Sequence, residues 1–416
     1  MKIFKFGGTS IKDSSGVENL VSILIELGFD QTLIVVSAMG KTTNALEIVV
    51  NNYFENKDEL QYSVNEVFKF HNEIVLNLFP NDNHEIFNEI REIFENLRDF
   101  LKRNKSPNHS FVYDQVVSQG ELLSTKIISA YLNYRNIKAI WIDSRELIKT
   151  NSNYRDASLN WDLTQKNISQ KIDNKNLNIT QGYIASNENS FNTTLGREGS
   201  DYSAAIYAYC LNAESVTIWK DVPGVLNADP RVFKKTQLLE NISYTEAIEL
   251  AFYGASVIHP KTLQPLQKKE IPLYVKSFLN PNSKGTSISR GVKIKPEIPC
   301  FIVKRNLNLL KLSSLDFSFI VEENISEIFQ TLHENKMKVD LIQNSAISFS
   351  VCINDKYNRL KELLSILKAT FKVECVEDVS LFTIRHFNEN SSNEILKKNQ
   401  LLLEQRTNEI LQLVVK

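Results

Sequence analysis

Three short runs of this chain carry side chains suited to handling a phosphate beside a carboxylate. The first, Lys5-Phe6-Gly7-Gly8-Thr9-Ser10, ends an apolar stretch with a cation, two residues lacking side chains and two hydroxyls. It reads as a strand passing through a tight turn into a helix, so that backbone N–H groups and a lysine converge on an anion. Phosphoryl transfer asks for that arrangement, because negative charge gathers on the transferred group. Gly7-Gly8 would equally serve a plain tight turn. The second run, Thr193-Thr194-Leu195-Gly196-Arg197-Glu198-Gly199-Ser200-Asp201-Tyr202-Ser203, leads into a helix. Ser200 and Asp201 have the chemistry of N-caps. No cap needs Arg197, whose guanidinium can grip a carboxylate through two parallel hydrogen bonds. The third run, Lys220-Asp221-Val222-Pro223-Gly224-Val225-Leu226-Asn227-Ala228-Asp229-Pro230-Arg231, follows an apolar strand. Loops at the C-terminal ends of strands are where open α/β sheets hold ligands, and Arg231 is a candidate for a nucleotide phosphate. Pro-Gly and Asp-Pro are also ordinary turn pairs.

The elements that must position these runs follow from periodicity. Residues 2–6 read as a strand, and a second strand, turn and helix unit follows at 32–37 and 42–51. The run TLIVVS is apolar throughout, as in a strand covered on both faces of a parallel sheet. Between 55 and 103 the chain is charged, with Val67, Phe70, Ile74, Leu78, Ile86, Ile90, Ile93 and Leu97 at helical spacing, which predicts a helical insertion. Strand-like runs recur at 139–142, 178–183, 215–219 and 271–275, so residues 1–290 form an α/β domain. Prolines and lysines over 281–299 suggest a linker. Beyond it, the order βαββαβ over 300–377 is ferredoxin-like. A strand at 381–386, a helix at 392–403 and a strand at 410–415 then predict an incomplete second unit over 378–416.

Composition narrows the class. The 416 residues are 42% hydrophobic and 23% charged, with 48 basic and 49 acidic residues and a net charge of −1. This balance excludes wholesale disorder and gives no field favouring nucleic acid or an anionic membrane. The four cysteines lack metal-type spacing and suit a reducing compartment. No apolar run approaches the roughly 20 residues needed to span a bilayer. Gly7-Gly8 also arrives too early for a signal-peptide apolar region. The expectation is a cytoplasmic enzyme with no dedicated protein metal site.

In this order and spacing, the three runs together resemble the aspartate kinases of the amino acid kinase family. Support comes from Thr43-Asn44, Ser118-Gln119-Gly120-Glu121-Leu122-Leu123-Ser124, Gln181-Gly182-Tyr183-Ile184, the run 253–260 and Gly285-Thr286. The resemblance implies an amino acid kinase fold, ATP and Mg²⁺ as cofactors, and L-aspartate as substrate. It implies that Lys5 neutralises the ATP phosphates beside Gly7, Gly8 and Ser37, that Thr43, Glu121, Arg197 and Ser200 surround the aspartate, and that Asp201 orients the reacting groups. Glu121 suits an ammonium and Arg197 a carboxylate. It further assigns Lys220, Asp221, Leu226, Arg231, Ser256 and Val257 to the nucleotide. Lys220 stands where threonine is usual, Leu226 for tyrosine, Ser256 for lysine and Glu198 for glycine. On this reading the lysine has moved between neighbouring loops. His259 stands in a packing motif, where a structural role is expected. The C-terminal region resembles paired ACT domains, most clearly at Val339-Asp340-Leu341-Ile342, which implies a homodimer and a lysine or threonine effector. Val321-Glu322-Glu323-Asn324 stands where a glycine-containing turn is usual. The alternatives are a kinase for another acidic amino acid and a catalytically inactive amino-acid sensor.

Overall fold

The computed structural model describes residues 1–416 apart from 82, 174, 256, 257 and 317. Two compact units emerge: Met1–Val225, Leu238–Ile248 and Ser256–Lys295 form the first, and Leu226–Gln237, Glu249–Ala255 and Pro296–Lys416 the second.

The first unit is built on strands β1 (Lys2–Phe6), β2 (Thr32–Val36), β3 (Ala139–Ile142), β4 (Leu177–Gln181), a small hairpin of β5 (Ile184–Ser186) and β6 (Asn192–Thr194), then β7 (Ser215–Lys220), β8 (Asn241–Ser243), β9 (Leu273–Ser277) and β10 (Thr286–Ser289). Eight of them form one sheet in the order β3-β4-β2-β1-β7-β9-β10-β8. Neighbours from β3 to β9 are parallel, while β10 runs antiparallel to β9. Every residue of β2 is buried, as its unbroken apolar run requires. Register decides what happens at the sheet's edge. Phe6 lies opposite Val36 and Trp219, and Val36 opposite Gln181. Strands β1, β2, β4 and β7 therefore end level, and their loops open together.

The helices of this unit are α1 (Ser14–Leu27), α2 (Thr42–Glu55), α3 (Lys57–Leu78), α4 (Ile86–Arg103), α5 (His109–Val117), α6 (Gln119–Tyr134), α7 (Ser144–Leu147), α8 (Trp161–Lys171), α9 (Gly199–Leu211), α10 (Tyr244–Tyr253), whose C-terminal half belongs to the second unit, and α11 (Pro260–Lys269). The helical stretch expected over 55–103 is α3 and α4. Val67, Ile74, Leu78, Ile86, Ile90 and Leu97 bury into the core shared with α1 and α6. His259 caps α11, its Nδ1 accepting the Lys261 N–H at 3.2 Å. The expected linker at 281–299 contains β10. Gly285, at φ 64°, lets that strand close on β9, since a Cβ there would lie 2.2 Å from the Val275 carbonyl.

The second unit contains β11 (Cys300–Ser314), α12 (Glu322–Glu334), β12 (Lys338–Asn344), β13 (Ser348–Asn354), α13 (Leu360–Thr370), β14 (Phe371–Arg385), α14 (Asn393–Leu396), β15 (Leu401–Arg406) and β16 (Ile410–Val415). They make one antiparallel sheet ordered β12-β13-β11-β14-β16-β15. Its first four strands have the ferredoxin-like order. Two readings are corrected. The separate strands expected at 371–376 and 381–386 are one strand, β14, paired along β11 through a register shift. The helix expected over 392–403 is confined to α14, and Leu401–Arg406 is a strand because its backbone pairs with β16, where Leu403 meets Val414. A boundary at 377 therefore falls inside β14. Within the 339–342 motif, Asp340 is held by Lys304 at 2.6 Å.

No disulfide joins the cysteines among the described residues; Cys210, Cys300 and Cys352 are buried and Cys375 is half-buried. Among the described residues no helix is long and apolar enough to cross a membrane.

Candidate active site

The level ends of β1, β2, β4 and β7 surround a cleft of about 560 Å³ in the first unit. Its wall includes Lys5, Gly8, Ser37, Thr43, Glu121, Arg197, Ser200, Asp201 and Lys220, which gathers residues scattered over more than half of the chain.

Lys5 is the penultimate residue of β1 and is 7% exposed, with Nζ 2.6 Å from Asp201 Oδ1. Lys220, at the end of β7, brings its Nζ to 3.6 Å from Asp201 Oδ2. Burial alone would push the Asp201 carboxyl up, but the attraction of Lys5 and Lys220 outweighs it and holds the group below the usual carboxylate range. Two ammonium groups are thereby fixed on one carboxylate at the N-terminus of α9. Gly8 belongs to a 3-10 turn, and a Cβ on it would lie 2.7 Å from the Ala38 carbonyl. Only glycine lets the loops after β1 and β2 approach this closely. The contact is tied by Gly40 N–H donating to the Gly8 carbonyl at 3.0 Å.

Glu121 sits in the first turn of α6 and is 2% exposed. Its Oε1 accepts the Ala38 N–H at 3.2 Å, while Oε2 is buried without a partner. Burial pushes this carboxyl up to about 8, against the opposing pull of the Ala38 N–H and Lys5. A buried acid with one unused oxygen is a receptor for a cation.

Helix α9 reaches the cleft because Gly182 leaves room for it. A Cβ at Gly182 would lie 2.6 Å from Ser200 Cβ and 2.9 Å from Ser200 Cα. Gly182→Ala must displace the N-terminus of α9, and with it Ser200 and Asp201. We expect kcat/KM to fall about tenfold to a hundredfold, the scale of an ångström misplacement, with the far-ultraviolet circular dichroism unchanged. Glu198 precedes the helix at φ 54°, a left-handed conformation that favours glycine, and its Oε2 is buried and unpaired. Glu198→Gly relieves both, and the greater flexibility of the unfolded chain offsets only part of the gain. The expected result is a stability increase of roughly 1 kcal/mol in urea unfolding.

The wall also includes Tyr113, Arg155 and Tyr183, to which sequence reasoning assigned no part in a site. The Arg155 guanidinium lies 4.1 Å over the Tyr113 ring, and Tyr113 donates to Glu47 at 2.8 Å. Behind them, the fully buried Asp114 accepts the Arg155 N–H at 3.0 Å, the Thr194 N–H at 2.9 Å and the Thr194 hydroxyl at 2.9 Å. Asp114 so ties the 151–158 loop to β6. Burial pushes its carboxyl up to about 6 and the Tyr113 hydroxyl up to about 12, and Tyr183 is raised further for the same reason. Both tyrosines are neutral hydrogen-bond donors at physiological pH. Tyr183 stands inside one of the quoted runs; nothing local marks Asp114 or Arg155.

Not all expected residues gather here. Gly7 and Asp221 flank the cleft in sequence but are not on its wall. Leu226 and Arg231 belong to the second unit, where Arg231 clasps Asp229 through Nε at 3.0 Å and Nη2 at 2.8 Å. Ser256 and Val257 lie outside the described residues. No cluster of three or more acidic, histidine or cysteine side chains fit for a metal occurs among the described residues.

Comparison with known proteins agrees with this geometry. Residues 1–277 match the model of the amino acid kinase family. The chain is 31% identical over 401 residues to the lysine-sensitive aspartokinase 3 of Escherichia coli, covering 92% of this chain and 86% of that one. It is 32% identical to the bifunctional aspartokinase/homoserine dehydrogenase of Buchnera aphidicola, of which it spans 47%. The crystal structure of E. coli aspartokinase III with lysine and aspartate superposes with a TM-score of 0.82 at 28% identity, covering 100% of this chain and 96% of that one. This chain belongs to the amino acid kinase family and, within it, to the aspartokinases.

Proposed function

We propose that Lys5, Lys220 and Asp201 form the phosphoryl-transfer centre of this aspartate kinase, and that Glu121, Arg197, Thr43 and Ser200 hold L-aspartate. The observation that carries the reading is one cleft with two ammonium groups fixed on Asp201 and a buried glutamate with an unused oxygen. The reaction joins a side-chain carboxylate oxygen of aspartate to the γ-phosphorus of ATP as the bond to the bridging oxygen breaks, giving 4-phospho-L-aspartate and ADP. That carboxylate, with a pKa of about 3.9, is ionised at neutral pH, so no residue has to remove a proton. What remains is alignment and neutralisation of charge.

Lys5 and Lys220 supply positive charge to the γ-phosphoryl oxygens from a largely dry site, where it acts most strongly. Asp201 keeps both ammonium groups in position and does not act as a base. Glu121 takes the α-ammonium and Arg197 the α-carboxylate, leaving the side-chain carboxylate to face the phosphate. Gly8 and Ser37 line the phosphate approach through backbone and hydroxyl donors, and Gly7 is assigned to it by family resemblance. Asp221, and Leu226 and Arg231 together with Ser256 and Val257, are assigned to the nucleotide by family resemblance alone. A magnesium ion arriving with the nucleotide would add to the charge neutralisation that Lys5 and Lys220 provide at the phosphates.

E. coli aspartokinase III is known in complex with aspartate and ADP and with lysine and aspartate. By that kinship, ATP is the donor here and lysine an effector of the second unit, whose sheet would also support a homodimer. The test is ADP release measured with L-aspartate, L-glutamate and N-acetylglutamate. Turnover with aspartate alone is expected, because N-acetylglutamate has no ammonium for Glu121. Equal turnover with N-acetylglutamate would overturn the assignment, and inhibition by lysine but not threonine would identify the effector.

A further inference from the structure

The sheet that carries the catalytic lysines also forms a second cavity, of about 790 Å³, within the first unit. Register decides which side chains share it: Phe4 lies opposite Thr217, Thr217 opposite Tyr274, and Trp219 opposite Lys276. The rings of Phe4, Trp219 and Tyr274 therefore border the same face. Trp219 is 1% exposed, stacked on Phe6 at 5.9 Å and set edge-on to Phe4 at 5.8 Å. Its indole Nε1–H is buried without a hydrogen-bond partner. Four lysines line the cavity, Lys2, Lys276, Lys284 and Lys295, and only Lys295 has an ion-pair partner among the described residues, Glu240 at 3.2 Å. Glu214 is the one other carboxylate on the wall.

A solvated sheet face has no need of an aromatic wall, nor of a buried indole N–H left without an acceptor. Three unpaired ammonium groups and an N–H all donate, so the complementary ligand is rich in acceptors and negatively charged. The volume matches that of small-molecule sites, and flat rings are what such aromatic walls receive. We infer that this cavity is a second ligand site, distinct from the catalytic cleft, for a small aromatic anion. The ring lies against Trp219 and Tyr274, and a phosphate or carboxylate group is held by Lys2, Lys276 and Lys284. The same two strands serve both sites: Phe4 adjoins Lys5 on β1, and Trp219 adjoins Lys220 on β7.

Phenyl phosphate is the probe, titrated calorimetrically into the full chain with the catalytic cleft saturated by ADP and L-aspartate. Binding of one equivalent is expected, at least tenfold tighter than inorganic phosphate, which lacks the ring. The double variant Lys276→Glu/Lys284→Glu should weaken it at least tenfold while melting temperature and aspartate-dependent turnover without phenyl phosphate stay unchanged. Trp219→Phe keeps a ring, removes the N–H and should weaken binding severalfold. Phenylacetate in the same titration distinguishes the two anion types: the tighter of the two probes names the natural group. No binding with the cleft saturated, equal affinity for inorganic and phenyl phosphate, or full affinity in the double lysine variant would overturn the proposal.

Discussion

Lys5→Ala lowers kcat about a thousandfold, a loss of roughly 4 kcal/mol of transition-state stabilisation. The size follows from burial: Lys5 is 7% exposed, and its charge acts on the γ-phosphoryl group with little screening. Lys220 remains but stands farther from Asp201, at 3.6 Å against 2.6 Å. It therefore cannot take over both roles. The same substitution leaves Asp201 with half of its compensation, so stability also falls, by about 2 kcal/mol. A fold defect and a catalytic defect are separated by Lys5→Met/Asp201→Asn, which removes the buried charge together with its partner. The double variant should recover most of the stability in urea unfolding and none of the turnover. Lys5→Arg should fail as well, because a planar guanidinium does not occupy the place of a compact ammonium. Near-normal turnover in Lys5→Ala would remove Lys5 from the centre.

Glu121→Gln raises KM for aspartate about a hundredfold, close to 3 kcal/mol, while kcat changes by less than a factor of a few. The carboxyl is pushed up to about 8 by burial, so below that pH the free enzyme holds it protonated. The α-ammonium needs the ionised form. It follows that kcat/KM for aspartate rises with pH, by close to tenfold per unit well below 8, and levels off above it. Glu121→Gln, which cannot titrate, flattens that limb. Stability has the opposite sign. The folded chain binds more protons at this group than the unfolded chain between pH 4.5 and about 8, so its contribution to stability decreases as pH rises through that window. A wild-type profile without the rising limb, or an unchanged limb in Glu121→Gln, would assign the ammonium to another group.

Local sequence already determined a good deal of this protein. The apolar run of β2, the Gly7-Gly8 turn after β1 and the helical spacing of α3 and α4 were legible because each rests on a period or a backbone freedom contained within a few residues. Lys5, Arg197, Ser200 and Asp201 stand in runs whose residue types pointed to a phosphate beside a carboxylate, whereas Glu121 was reached only through the family resemblance; folding brings all five to one cleft. Other features depend on contacts between distant segments. The strand β15 exists because β16 is there to pair with it, against a helical local pattern. Strand β10 exists because Gly285 lets residues 286–289 close on β9. Arg155 enters the cleft because Asp114, 41 residues away, holds its backbone. Charge state is decided the same way: Glu121 is an ordinary carboxylate in the chain and a raised one only once α6 is buried, whereas Asp201 is lowered only because β1 and β7 bring two lysines to it. Sequence by itself determined which groups this protein has for the chemistry. Tertiary structure decided their protonation, their partners and the second, lysine-lined cavity, because desolvation and Coulomb attraction act between atoms that only folding brings together.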